Sequence, residues 1–218
     1  MTTNMTRALR ALESNDPSVR MQAAMAVGTA PDPDFVGRLI ERCAIEPEFY
    51  VREMLTWALT RHPASATVPP LIGEVRSERA QARSQALHTL SKIGDRRAWP
   101  VITPALLSDA DDEVARTAWR AAVVLVPEGE ERELVLVLAT QLGRGECETQ
   151  LSLSRALIAL GEAMLPTLSA ATTNPDPRVR AHAIATEQLW RNPDTRFELA
   201  IEEAKRVVAL GGGGQEGR

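Results

Sequence analysis

The stretch Asn15-Asp16-Pro17-Ser18-Val19-Arg20 opens a run of helical spacing near the start of the chain, and Asn174-Pro175-Asp176-Pro177-Arg178-Val179-Arg180 opens another near its end. With the last Arg of each as an anchor, equivalent positions fall at Arg20, Arg52, Arg83, Ala115, Gln150 and Arg180. The steps between them are 32, 31, 32, 35 and 30 residues, and a fixed period of that size is the mark of a repeat architecture.

The residue before each anchor is Val19, Val51, Ala82, Val114, Thr149 or Val179. Four residues further on stand Ala23, Leu55, Ala86, Ala118, Leu153 and Ala183. Seven further on are Ala26, Ala58, Thr89, Ala121, Ala156 and Thr186, and eight further on Val27, Leu59, Leu90, Ala122, Leu157 and Glu187. Such spacing describes one face of an α-helix. Glu187 breaks it in the last unit, where repeats are commonly atypical. Each anchor helix has an acidic start: Asp16, Glu48, Glu78, Asp111, Glu146 and Asp176. Carboxylates there can bond free N–H groups and favour the positive end of the helix. Gly94 and Gly161 fall where helices should stop.

Between the anchor helices the sequence predicts intervening helices at about 34–45, 66–76, 97–108, 131–143 and 163–172, with Pro69, Pro70, Pro100 and Pro166 in or near their first turns. Thr6 to Glu13 would partner the first anchor helix. Each pair is too small to bury both its apolar faces, so stacking must complete the core. The expected fold is all-α: a right-handed α-solenoid of about six hairpins, at roughly 6–28, 33–61, 66–94, 97–126, 130–161 and 162–191. A final helix at 194–210 would cover the exposed end, making 1–210 one domain, and 211–218, Gly-Gly-Gly-Gly-Gln-Glu-Gly-Arg, would form a disordered tail.

The bulk numbers agree with a folded, soluble chain. Of 218 residues, 44% are hydrophobic and 25% charged, with aromatics at only 4%, so Ala, Leu and Val must fill the core. The net charge of -4 argues against a strongly basic nucleic-acid binder. It is unevenly spread, +2 over residues 1–100 and -6 over 101–218. Cys43 and Cys147 stand far apart, outside any CxxC, so neither a zinc site nor a disulfide framework is indicated. No signal-like start and no apolar run of membrane-spanning length occurs, and a reducing cytoplasm is the expected location.

The pattern resembles HEAT-like repeats, particularly the variety named after phycobilisome lyases. The clearest stretch is Ala82-Arg83-Ser84-Gln85-Ala86-Leu87-His88-Thr89-Leu90-Ser91-Lys92-Ile93-Gly94-Asp95, followed by Arg97-Ala98-Trp99-Pro100; Asp16 to Gly28 and Asp176 to Ala183 match nearly as well. Ala115 and Gln150 depart from the Arg position. The resemblance implies a ladder in which Asp and Arg of successive repeats interlock, so that Asp16, Arg20, Arg52, Arg83, Asp176 and Arg180 would be structural.

Catalytic signatures are lacking. There is no P-loop, GxGxxG or GxSxG, and the glycines at 211–214 follow a helix with no strand before them. His62, His88 and His182 lie in separate repeats without the paired His-Glu motif of iron-dependent HEAT hydroxylases, so they read as solvated or packing residues. Cys147 lies between Glu146 and Glu148, which blunts a thiol. The acidic runs Asp109–Glu113 and Glu128–Glu133 read as turns and helix starts. No catalytic residue, metal site or cofactor is expected. HEAT-like DNA glycosylases surround an extruded nucleotide with Trp and Asp, and here only Trp190 has an acid, Asp194, four residues on.

The anchor helices would line the inner curve of the solenoid and present Arg20, Arg52, Arg83, Arg116, Arg120, Arg155 and Arg180, with Trp57 and Trp119. Arg and Trp are the residue types that most often anchor interfaces. The expected function is that of a non-enzymatic, monomeric scaffold holding an acidic segment of another protein. The alternatives are a nucleic-acid binder related to alkylpurine DNA glycosylases and an accessory subunit of a chromophore lyase.

Overall fold

Asp16, Asp111 and Asp176 each turn a carboxylate back onto the helix they precede. Asp16 accepts from Ser18 N, Asp111 from Glu113 N and Val114 N, and Asp176 from Arg178 N. Pro17 and Pro177 occupy the first turns behind two of these caps, where a missing N–H costs nothing. Glu48 and Glu146 stand at the equivalent positions without a side-chain cap bond, and the third anchor helix is entered through Arg79 rather than Glu78.

The computed structural model describes the backbone of residues 3–212, and all the described elements are helical. In chain order they are α1 (Thr3–Leu12), α2 (Pro17–Thr29), a 3-10 turn (Pro33–Phe35), α3 (Val36–Cys43), α4 (Phe49–Arg61), α5 (Ala64–Glu74), α6 (Ala80–Ile93), a 3-10 segment (Arg96–Val101), α7 (Pro104–Leu107), α8 (Asp112–Leu125), α9 (Glu131–Ala139), α10 (Cys147–Ala159), a 3-10 turn (Gly161–Met164), α11 (Leu165–Ala171), α12 (Pro177–Arg191) and α13 (Phe197–Gly212). The even-numbered helices α2 to α12 are the six anchor helices. The chain divides into two compact units, Met1–Thr103 and Pro104–Arg218, and the division falls inside the fourth expected repeat.

Two intervening elements depart from expectation. The helix expected over 97–108 is broken into the 3-10 segment and the single turn of α7. Pro104 disfavours helical backbone at Thr103, so the chain restarts there. Helix α5 begins at Ala64, which puts Pro69 and Pro70 in its interior. Both prolines are exposed, on the side where the carbonyls they leave free can meet water. Gly94 takes φ 69° and ends α6 with its N–H on the Leu90 carbonyl at 2.9 Å, as its place in the sequence implied. Helix α13 runs to Gly212, two residues into the segment expected as a tail; residues 213–218 lie outside the described residues.

The first unit packs α2 against α4 and α4 against α6, with α3 and α5 behind them. Val51, Leu55, Ala58 and Leu59 of α4 and Ala82, Ala86, Thr89 and Leu90 of α6 are buried, as the repeat pattern requires. Val19 and Ala26 of the first anchor helix depart from this and are exposed. At Gly28 α2 packs tightly against α4. A Cβ there would lie 2.4 Å from the Trp57 ring and 2.9 Å from Ala58 Cα.

In the second unit α8, α10 and α12 follow one another, and α13 lies along α12. Phe197, Ala200, Ile201 and Ala204 of α13 close over Ala181, Ala185 and Leu189, with Leu151 and Ile158 of α10 at the margin. A polar thread crosses this core. His182 Nδ1 accepts the Gly143 N–H at 3.0 Å, which leaves Nε2 as the protonated nitrogen, 3.0 Å from both the Gln150 carbonyl and Ser154 Oγ. Ser154 and Thr186 hydroxyls meet at 2.8 Å. Burial pushes the imidazole down to about 4, against the Gln150 bond, which favours protonation.

Candidate functional site

The anchor side chains turn out to hold the turns that precede their own helices. Arg20 Nη1 donates to the carbonyls of Ser14 and Asn15 at 2.8 and 3.0 Å. Arg52 does the same to Glu46 and Pro47, Arg83 to Ser77 and Glu78, and Arg180 to Asn174 and Pro175, all between 2.7 and 3.1 Å. Each guanidinium thus satisfies two carbonyls, five and six residues back, where one hairpin helix has ended and the next has not begun. Where the anchor is Gln150, its amide reaches only Gly145 at 3.1 Å. Where it is Ala115, Arg144 from the following repeat donates to the Asp109 carbonyl instead and pairs with Asp112. The interlocking Asp–Arg ladder that the resemblance implies is here an Arg-to-carbonyl clamp within four of the six repeats, while Asp16 and Asp176 cap backbone N–H groups.

One of the ion pairs that cross between repeats is buried. Arg20 donates from Nε and Nη2 to the two oxygens of Glu46, each at 2.7 Å, with Arg20 4% and Glu46 0% exposed. Arg42 Nε and the Glu48 N–H complete the set at 2.9 and 3.0 Å. Burial alone would raise the Glu46 carboxyl, but bonds from Arg20, the Glu48 amide and Arg42 outweigh it and hold it below its ordinary value. The Glu46 carbonyl also receives Gln81 Nε2 at 2.8 Å, so one turn ties three repeats together.

These contacts revise the expected binding surface. Arg20 is interior and spent on Glu46. Arg52, Arg83 and Arg180 are half-buried, each with its Nη1 on turn carbonyls. Arg116 is half-buried between Glu113 and Glu148. Trp119 is 0% exposed and donates its indole N–H to the Leu107 carbonyl at 2.8 Å, which excludes it as a partner contact. Trp57 is 39% exposed, its ring lying over Gly28.

What remains open is the row five residues beyond each anchor. In the first unit it is Met25, Trp57 and His88; in the second Arg120 and Arg155, with Ala185 shut under α13. Met25 is 47% exposed, and Phe49 and Tyr50 at the start of α4 are exposed as well. His88 Nε2 stands 3.1 Å from Glu53. Arg120 bonds Thr117 at 2.9 Å, and Arg155 has no polar partner among the described residues.

The remaining candidates are structural. His62 is buried between the carbonyls of Ala58 and Asp32. Burial raises the Cys147 thiol, and Glu198 raises it further; burial pushes Cys43 up to about 12. Among the described residues no group of three or more His, Cys, Asp or Glu is arranged to hold a metal ion, and no single helix is long and apolar enough to cross a membrane.

Paired helices repeating at this period place the chain in the class of helical-repeat proteins. Within it, residues 38–122 match the family model for HEAT repeats, and that part of the chain is similar to such repeats. The match is to HEAT repeats at large and does not extend to the phycobilisome-lyase variety. Comparison with curated proteins gives no match.

Proposed function

We propose that the chain is a non-enzymatic scaffold that holds another protein through the open positions five residues beyond the anchors, in each unit separately. HEAT repeats commonly mediate protein–protein interaction. The observation that carries the reading is the composition of that row. Its exposed members include Trp57 and Met25 in the first unit and Arg120 and Arg155 in the second, while the anchor row above it is spent on turn carbonyls. Aromatic and Arg side chains are the ones that carry most binding energy at protein interfaces.

Affinity capture from the native host, comparing the natural chain with a Trp57→Ser/Arg120→Glu variant of equal helicity, tests this. The expected result is a protein retained by the first and lost by the second. Identical captured proteins would overturn it. So would a gel shift of duplex DNA by the purified chain at low salt that fades steeply as salt rises, which marks phosphate binding.

A further inference from the structure

Of the hollows that flank α13 in the second unit, two also touch α10. The larger, about 790 Å³, lies beside the starts of α10 and α12, and its charges are balanced: Arg178, Arg180 and Lys205 face Glu146, Glu198 and Glu202, with Lys205 already 2.8 Å from Glu202. The smaller, about 490 Å³, lies at the other end, where the chain crosses from α12 to α13. Its walls are Leu151 and Ile158 of α10, Leu189 and Trp190 of α12 and Phe197 of α13. Arg155 and Arg196 stand at its edge with one acid, Glu198.

The charges at this edge are not matched. Arg196 meets Glu198 only at 3.7 Å, both largely exposed, an arrangement worth little in water. Arg155 has no hydrogen-bond or ion-pair partner among the described residues, and neither has the Trp190 indole N–H. An apolar hollow with a few polar groups at its rim is the usual form of a ligand site. Here the hollow is the size of one or two large side chains, and its rim carries a fork that binds carboxylates through two parallel bonds.

We infer that this hollow takes a bulky apolar side chain of a partner peptide, with a carboxylate one or two residues away held by Arg155. The inference rests on the protein-binding reading above and adds to it the site and the chemistry of the segment bound. The α12–α13 connection, Asn192 to Arg196, forms one wall, so α13 builds the site as well as closing the core beneath it.

A random peptide library panned against the full chain gives the test, with the enriched peptides labelled by fluorescein and titrated by polarisation. The expected peptides pair Leu, Ile or Phe with a neighbouring Asp or Glu. Their affinity should fall at least tenfold with Arg155→Glu, and less with Arg155→Ala. It should be unchanged with Arg38→Glu, which reverses an exposed charge in the first unit. Helicity and melting temperature verify that each variant is folded; should Arg155→Glu fail to fold, Arg155→Ala carries the comparison. Absence of enrichment, enriched peptides without carboxylates, or equal affinity for the natural chain and both Arg155 variants would overturn the inference. A host protein captured through Trp57 and Arg120 would then still stand, so the two readings fail separately.

Discussion

Glu46 is buried in the first unit and ties three of its repeats together. It sits in Ile45-Glu46-Pro47-Glu48, a turn that in sequence looks like any solvated acidic connection, and its main partner lies 26 residues earlier. No local pattern announces a carboxylate that is 0% exposed, so sequence reasoning missed it while finding Arg20. Removing one member of a buried pair strands the other charge, so Glu46→Ala should cost about 3–5 kcal/mol. Arg20→Met/Glu46→Leu, which removes both charges and keeps volume, should recover only part of that loss, because the Ser14 and Asn15 carbonyls then go unclamped. Urea denaturation of the three chains measures both values.

At the scale of the element, periodicity revealed the helices but not their rotation. The i, i+4, i+7 and i+8 faces were legible because burying them is what fixes the period. Which arginines were free was not legible, because the clamp depends on carbonyls whose direction only the folded turn sets. Trp57 and Trp119 show the limit. They lie five and four residues beyond their anchors, and one residue is 100° of helix. That step puts one ring on the surface and the other inside. The prolines misled for a related reason: Pro69 and Pro70 read as a helix start, yet exposure of their side of α5 lets the helix run through them. The clamp makes a graded prediction. Arg180→Ala removes charge-assisted bonds to two carbonyls and should cost about 1.5–3 kcal/mol. Arg180→Gln, which copies the natural Gln150 arrangement, should cost about half as much. Thermal melts compared with the natural chain decide it.

For the molecule as a whole, the buried polar thread of the second unit sets the response to acid. His182 at about 4 lies below the usual imidazole value of 6.5. Between those limits the unfolded chain binds a proton that the folded one refuses, so stability is complete above pH 6.5 and declines as pH falls to 4. The difference amounts to about 3 kcal/mol. Glu46 adds a separate loss that begins lower, below its unfolded value, because its carboxyl is held down in the folded state. Denaturation midpoints measured from pH 7 to pH 4 should slope downward in the natural chain. A His182→Gln variant should lose that slope in this window while keeping the lower one.

Helix α13 carries a consequence for growth. In the second unit Ser154 of α10 meets His182 and Thr186 of the next anchor helix, whereas Ile184, the counterpart of Ser154 on α12, packs towards α13. The side on which another hairpin would have docked is therefore occupied by α13. Stacked modules polymerise head to tail when a free trailing face meets a free leading one, as open heterologous contacts do. With the trailing face sealed, fibres of this kind have no site from which to extend.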